Sequence, residues 1–167
     1  MDFHAGDPVM HWTYGFGQVV RLEERDLSGS NILYYAVQIK DMTVWVPADS
    51  KVDSRLRRPT SRPEFKKLVD ILTSAGKPLP EDRQERKAYL SETLRDGRAE
   101  SLCLIIRDLS ASQKIKSLND NDQMLLKQVK NALLGEWQFA LSITPAQAEL
   151  ELHRLLTPES TSVEIEK

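Results

Sequence analysis

The chain has 167 residues, of which 40% are hydrophobic and 29% charged, and its formal net charge is −2. This length holds one domain or two small ones, and the composition is that of an ordinary folded protein. No run of about 18 apolar residues occurs, so no membrane span is expected. The single cysteine, Cys103, excludes an internal disulfide framework.

The acidic, polar start MDFHAGDP is wrong for a signal peptide, so a cytoplasmic protein is expected. The first 50 residues read as four short strands, at 7–12, 17–25, 32–40 and 42–46. NILYYAVQI and TVWVP are rich in β-branched and aromatic residues. DLSGSN, residues 26–31, is turn chemistry, and Pro47 ends the last strand because it cannot donate to a ladder. In HWTYGFGQVV, residues 11–20, Gly15 and Gly17 are expected to shape a turn between the first two strands. Trp12, Tyr14 and Phe16 would then cover the end of a small barrel or offer a contact surface. A module of this size cannot easily bury six large rings, counting Tyr34, Tyr35 and Trp45 as well, so one or two should be exposed.

After residue 60 the period changes from two to 3.6. SRPE at 61–64 reads as a capping box with Pro63 near the first helical position. Phe65, Leu68, Val69 and Leu72 follow at helical spacing, and Gly76 is the expected stop. KPLPED is a rigid connector. A second helix is expected at about 82–95 and a third at about 98–111, with Leu102, Ile105, Ile106 and Leu109 on one stripe. A fourth follows SLNDND and buries Leu125, Val129, Leu133 and Trp137. The fifth opens at TPAQ, with Thr144 as cap and Gln147 as its reciprocal partner, and buries Ala148, Leu152, Leu155 and Leu156. The expected class is therefore α+β. A small antiparallel β module at 1–59 precedes an all-helical domain of about five helices at 60–156, with a frayed tail at 157–167.

Chemistry is harder to find. His4, His11 and His153 lie far apart and next to no cysteine, so no metal-ligand spacing occurs. Cys103, between Leu102 and Leu104, reads as a buried structural thiol. GFG lacks the helix and lysine of a phosphate loop. The acid pairs Glu23–Glu24 and Asp120–Asp122 read as solvated or capping groups. No catalytic group, metal, cofactor or small-molecule substrate is expected, which leaves binding as the default function. Charge is uneven. Residues 1–59 carry seven Lys/Arg against eight Asp/Glu, residues 60–117 carry 12 against nine, and residues 118–167 carry four against eight. That is a weak footprint for free nucleic acid, which takes a concentrated basic face.

The block F-x-x-GD-x-V-x-H-x-x-YG-x-G-x-V at 3–19 and TVWVPAD at 43–49 resemble the CarD/CdnL family of bacterial transcription regulators. KPLPEDRQERKAYLSETLRDG, IIRDL and LLKQVKNALLGEW are similar to that family's helical part. The likeness runs over about residues 1–156 in the same order. The opening block alone also resembles the polymerase-interacting module of the transcription-repair coupling factor, and the helical part favours the CarD-like group. The resemblance implies an N-terminal Tudor-like barrel that binds the β subunit of RNA polymerase. It also implies a helical domain that meets promoter DNA at the upstream edge of the melted region. Such proteins change open-complex stability without catalysis. The polymerase contact so implied is Arg25, Tyr35, Trp45, Val46 and Pro47. Arg25 matches a basic contact position, and Trp45 stands where some relatives carry a basic residue. The implied DNA contact is Arg83, Arg86 and Lys87, with Arg83 at the place of the family's wedging tryptophan. Asp120 and Asp122 stand where relatives tend to be basic. An adaptor that kept the β module but not the promoter contact is the alternative expectation.

Overall fold

The computed structural model describes residues 2–26, 29 and 31–157, and the chain divides into two compact units, Met1–Pro59 and Thr60–Lys167. The tail expected at 157–167 lies outside the described residues from position 158 onward, as do Leu27, Ser28 and Ser30 of the expected turn.

Unit one is a five-stranded antiparallel sheet. Its strands are β1 (Pro8–His11), β2 (Gly15–Asp26), β3 (Asn31–Ile39), β4 (Met42–Pro47) and β5 (Leu56–Arg57), in the order β4-β3-β2-β1-β5. The fifth strand is two residues long, too short to show a period, and follows a single 3₁₀ turn at Val52–Ser54. Phe3, Val9, Val19, Tyr35, Val37, Ile39, Val46, Val52 and Leu56 form the core of this unit. Phe3 and Tyr35 meet edge to face, with ring centroids 5.7 Å apart, and the Phe3 N–H donates to the Tyr35 hydroxyl at 3.2 Å.

The two glycines of the opening block have different jobs. Gly15 has a φ of +89°, which the β1–β2 turn requires. Gly17 does not turn the chain; it sits inside β2, opposite Val9. An added Cβ there would stand 2.6 Å from Ile39 Cγ1 and 2.7 Å from the Gln38 carbonyl oxygen, so β3 can lie this close only to a residue without a side chain.

Unit two contains α1 (Arg62–Thr73), α2 (Arg83–Leu94), α3 (Ala99–Ile115), α4 (Asp120–Leu141) and α5 (Pro145–Leu156). Side-chain caps start four of them: Ser61, Asp82, Asn119 and Thr144 each accept the backbone N–H three residues on. The reciprocal capping box is complete at Thr144–Gln147. At α1 the Ser61 hydroxyl donates to Glu64 Oε1 instead. α1 stops at Thr73, ahead of Gly76, because the Ser74 hydroxyl takes the Ile71 carbonyl. Gly76 serves a close approach: a Cβ there would come within 2.5 Å of Ala111 Cβ on α3.

α3 is the middle of this unit and packs against α1, α2 and α4. Cys103, Ile105, Ile106 and Leu109 are fully buried on it, and Trp137 of α4 meets Phe65 of α1 with centroids 5.2 Å apart. On α4 the buried stripe runs through Leu126 rather than Leu125, joining Val129, Leu133 and Trp137. Asp108 ties the α1–α2 connector down, accepting from the Lys77 N–H and from Arg107 Nε, both at 2.9 Å.

Candidate functional site

A surface is built on β2, β3 and β4 by one irregularity. The β2–β3 register slips between Val19, opposite Val37, and Arg21, opposite Ala36. Side chains alternate along a strand, so without the extra residue Arg21, Glu23 and Arg25 would follow Val19 into the core. The bulge turns all three outward. Ala36 lies between Arg21 and Trp45 across the three strands. Its methyl leaves room for both neighbours: the Arg25 guanidinium lies 4.3 Å from the centre of the Trp45 ring and that of Arg21 5.2 Å away. Each distance is within cation–π range. Glu23 accepts from Arg21 Nε at 2.7 Å, and Tyr34 and Pro47 continue the same face. β4 borders this face as an outer strand of the sheet.

Three of the five residues expected here lie on this face: Arg25, Trp45 and Pro47, each half-buried. Tyr35 and Val46 do not. They are paired across strands on the opposite face and are 4% and 1% exposed, so their side chains serve the core and cannot touch a partner. Arg21 was missing from the expected set. The signal for it was present in QVVRLEER, where charges at 21, 23 and 25 share the parity of Val19, which only a phase shift can reconcile.

The β1–β2 turn presents a second feature. Trp12 and Tyr14 are 64% and 52% exposed, while His11 is buried behind them with its ring centroid 5.1 Å from that of Tyr14. The His11 Nδ1 accepts the backbone N–H groups of Thr13 and Tyr14, at 3.0 and 3.2 Å, so the ring is neutral at that nitrogen. Burial lowers its pKa from the ordinary 6.5. The unfolded chain thus binds the proton more readily, and stability is lost as pH falls through 6.5 toward the folded value. Melting curves of the wild type and of His11→Asn, measured between pH 7.5 and 5.5, should diverge. The variant keeps an oxygen acceptor and is expected to lose less. Identical slopes for the two would show that His11 does not gate the turn.

On the helical unit, Arg83 and Lys87 are exposed on the first turns of α2, next to Glu81 and Glu85. Arg86 is not available in the way expected. Its Nε donates to Asp122 Oδ2 at 2.7 Å, and the two side chains are only 17% and 7% exposed. It also reaches the Pro80 carbonyl and the Ser112 hydroxyl. The pairing equally corrects the expectation for Asp122, whose charge is taken up by Arg86 instead of facing phosphate. Arg83 lines a groove with Lys77 and Lys116, bounded by the α1–α2 connector and the α3–α4 junction.

Family models match both units: CarD-like/TRCF RID domain over residues 3–59, and CarD, C-terminal domain over residues 67–153. The chain belongs to the CarD-like family. It is also similar to a Bacillus subtilis (strain 168) protein named "Putative transcription factor YdeB", at 23% identity over 147 residues, 87% of this chain and 96% of that one. CarD-like proteins are transcription regulators, and domains of the RID type interact with RNA polymerase in general. The outward face of β2–β4 belongs to the unit that the CarD-like/TRCF RID model covers. Among the described residues, no helix is long and apolar enough to cross a membrane.

Proposed function

We propose that this CarD-like regulator docks on the β subunit of RNA polymerase through the outward face of β2, β3 and β4, and from there changes the stability of the promoter open complex. The observation that carries the reading is the Arg25–Trp45 pair. A guanidinium held over an indole is pre-positioned, so less side-chain entropy is lost when it meets an acidic partner. Tryptophan and arginine are also the residue types that most often dominate interfaces. Among the described residues β4 is an outer strand, and its free edge offers the Trp45 main chain for strand addition, since the Val46 main chain is turned to its partner Tyr35 on β3.

Promoter DNA is the second partner in this reading, met by Arg83 and Lys87 without Arg86. Two exposed cations among several carboxylates neutralise few phosphates, so contact with DNA depends on polymerase for its local concentration. The burial of Arg86 also favours a second reading, an adaptor that binds polymerase and leaves the promoter untouched.

Arg25→Glu in the full chain is expected to weaken binding to purified β subunit by about 1–3 kcal/mol, the range for a charge reversed at a desolvated contact. Calorimetric titration measures it, and an unchanged melting temperature certifies the fold. Wild-type affinity in a folded variant removes this face from the interface. Open-complex lifetime on a promoter, with and without the protein, separates the two readings: no change despite β-subunit binding selects the adaptor.

A further inference from the structure

A groove of about 450 Å³ lies between α4 and α5, with the end of α3 at one side. It is in the size range of small-molecule sites. Leu126, Leu134 and Leu152 are buried and form its floor. Lys130, one helical turn from each of Leu126 and Leu134, stands half-buried in the middle of it. Lys127 and His153 are exposed at the rim, where Glu149 is the only carboxylate among the described residues that line the groove.

Among the described residues Lys130 is the one lysine that is not exposed, and in this half-buried position it has no hydrogen bond or ion pair. Burial against the leucine floor also lowers its pKa, the mark of an ammonium that lacks a counter-charge. A half-buried cation in a concave apolar site is stabilised by an anion that brings its own apolar surface. The local sign is notable as well, since residues 118–167 carry twice as many Asp/Glu as Lys/Arg, while the groove collects two of those lysines.

We propose that the α4–α5 groove is a binding site for a small amphipathic anion, with its carboxylate or phosphate on Lys130 and its short apolar body on Leu126, Leu134 and Leu152. This site is separate from the sheet face of unit one and from the α2 residues, so it stands or falls independently of the polymerase reading. An effector bound there would act on the packing of α5 against α4.

Octanoate and octyl phosphate are the probes, titrated into the full chain and followed by amide chemical shifts, with 1-octanol and inorganic phosphate as the two half-ligands. Saturable shifts confined to α4 and α5 are expected with octanoate, octyl phosphate or both, and the stronger of the two names the head group. Each half-ligand should bind at least tenfold more weakly. Lys130→Met keeps the apolar stem and should lower affinity for the anionic probes at least tenfold while leaving that for octanol unchanged. Shifts spread over the molecule, no saturation by either anion, or equal affinity in Lys130→Met would overturn the assignment.

Discussion

Gly17→Ala is expected to cost the β module about 3 kcal/mol, at the upper end for one methyl forced into a packed core. The added Cβ would meet Ile39 Cγ1 at 2.6 Å and the Gln38 carbonyl oxygen at 2.7 Å. The isoleucine can rotate away; the carbonyl cannot, because β3 is paired on both sides, to β2 and to β4. Relief requires β3 to move off β2, which disturbs the register that carries Arg21, Arg25 and Trp45. Cores in units of this size rarely supply more than about 3–5 kcal/mol, so most of the margin is lost. Amide exchange in the full chain should show β2 and β3 unprotected while α3 and α4 keep their protection. A control on the same strand, Glu24→Ala, changes an exposed side chain and should leave exchange as it was. Native protection throughout β2 and β3 in Gly17→Ala would refute the close approach.

Asp122→Ala is expected to destabilise the helical unit by about 3 kcal/mol, the lower end for breaking a buried ion pair, since Arg86 keeps some contact with water. The variant leaves the Arg86 guanidinium with only the Pro80 carbonyl at 3.4 Å and the Ser112 hydroxyl at 3.5 Å. For a unit of roughly 100 residues this lowers the melting temperature by on the order of 10 °C or more. The double replacement Arg86→Met with Asp122→Leu should recover most of the loss, because the desolvation cost leaves with the charges. If the double variant melts as low as Asp122→Ala, packing rather than an orphaned charge is responsible. Arg86→Ala for the same reason weakens any function of α2 through stability, and DNA assays on it need a melting curve beside them.

Much of this was legible from residue order, for identifiable reasons. Caps and periodicity are local: Ser61, Asp82, Asn119 and Thr144 act on N–H groups three residues away, so helix starts follow from neighbours alone. Helix ends were less readable. Gly76 looked like a stop, yet Ser74 ended α1 and Gly76 answered to Ala111, 35 residues along the chain. The basic cluster at α2 misled in the same way. Arg83, Arg86 and Lys87 look alike in sequence, and only the approach of α4 ties Arg86 into a largely covered ion pair.

What the sequence by itself determined is the α+β class, the change from two-residue to 3.6-residue period near residue 60, the capped helices, and the motifs that place the chain among CarD-like proteins. These depend on interactions within a few residues or on a pattern read along one strand. The tertiary structure decided which residues share the outward face of β2–β4. The bulge after Val19 inverted the phase of β2, bringing Arg21 and Arg25 out to Trp45 and leaving Tyr35 and Val46 in the core. The physical reason is that strand parity has only two states. One inserted residue exchanges them for everything that follows, and whether it is inserted depends on pairing with β3, not on β2 alone.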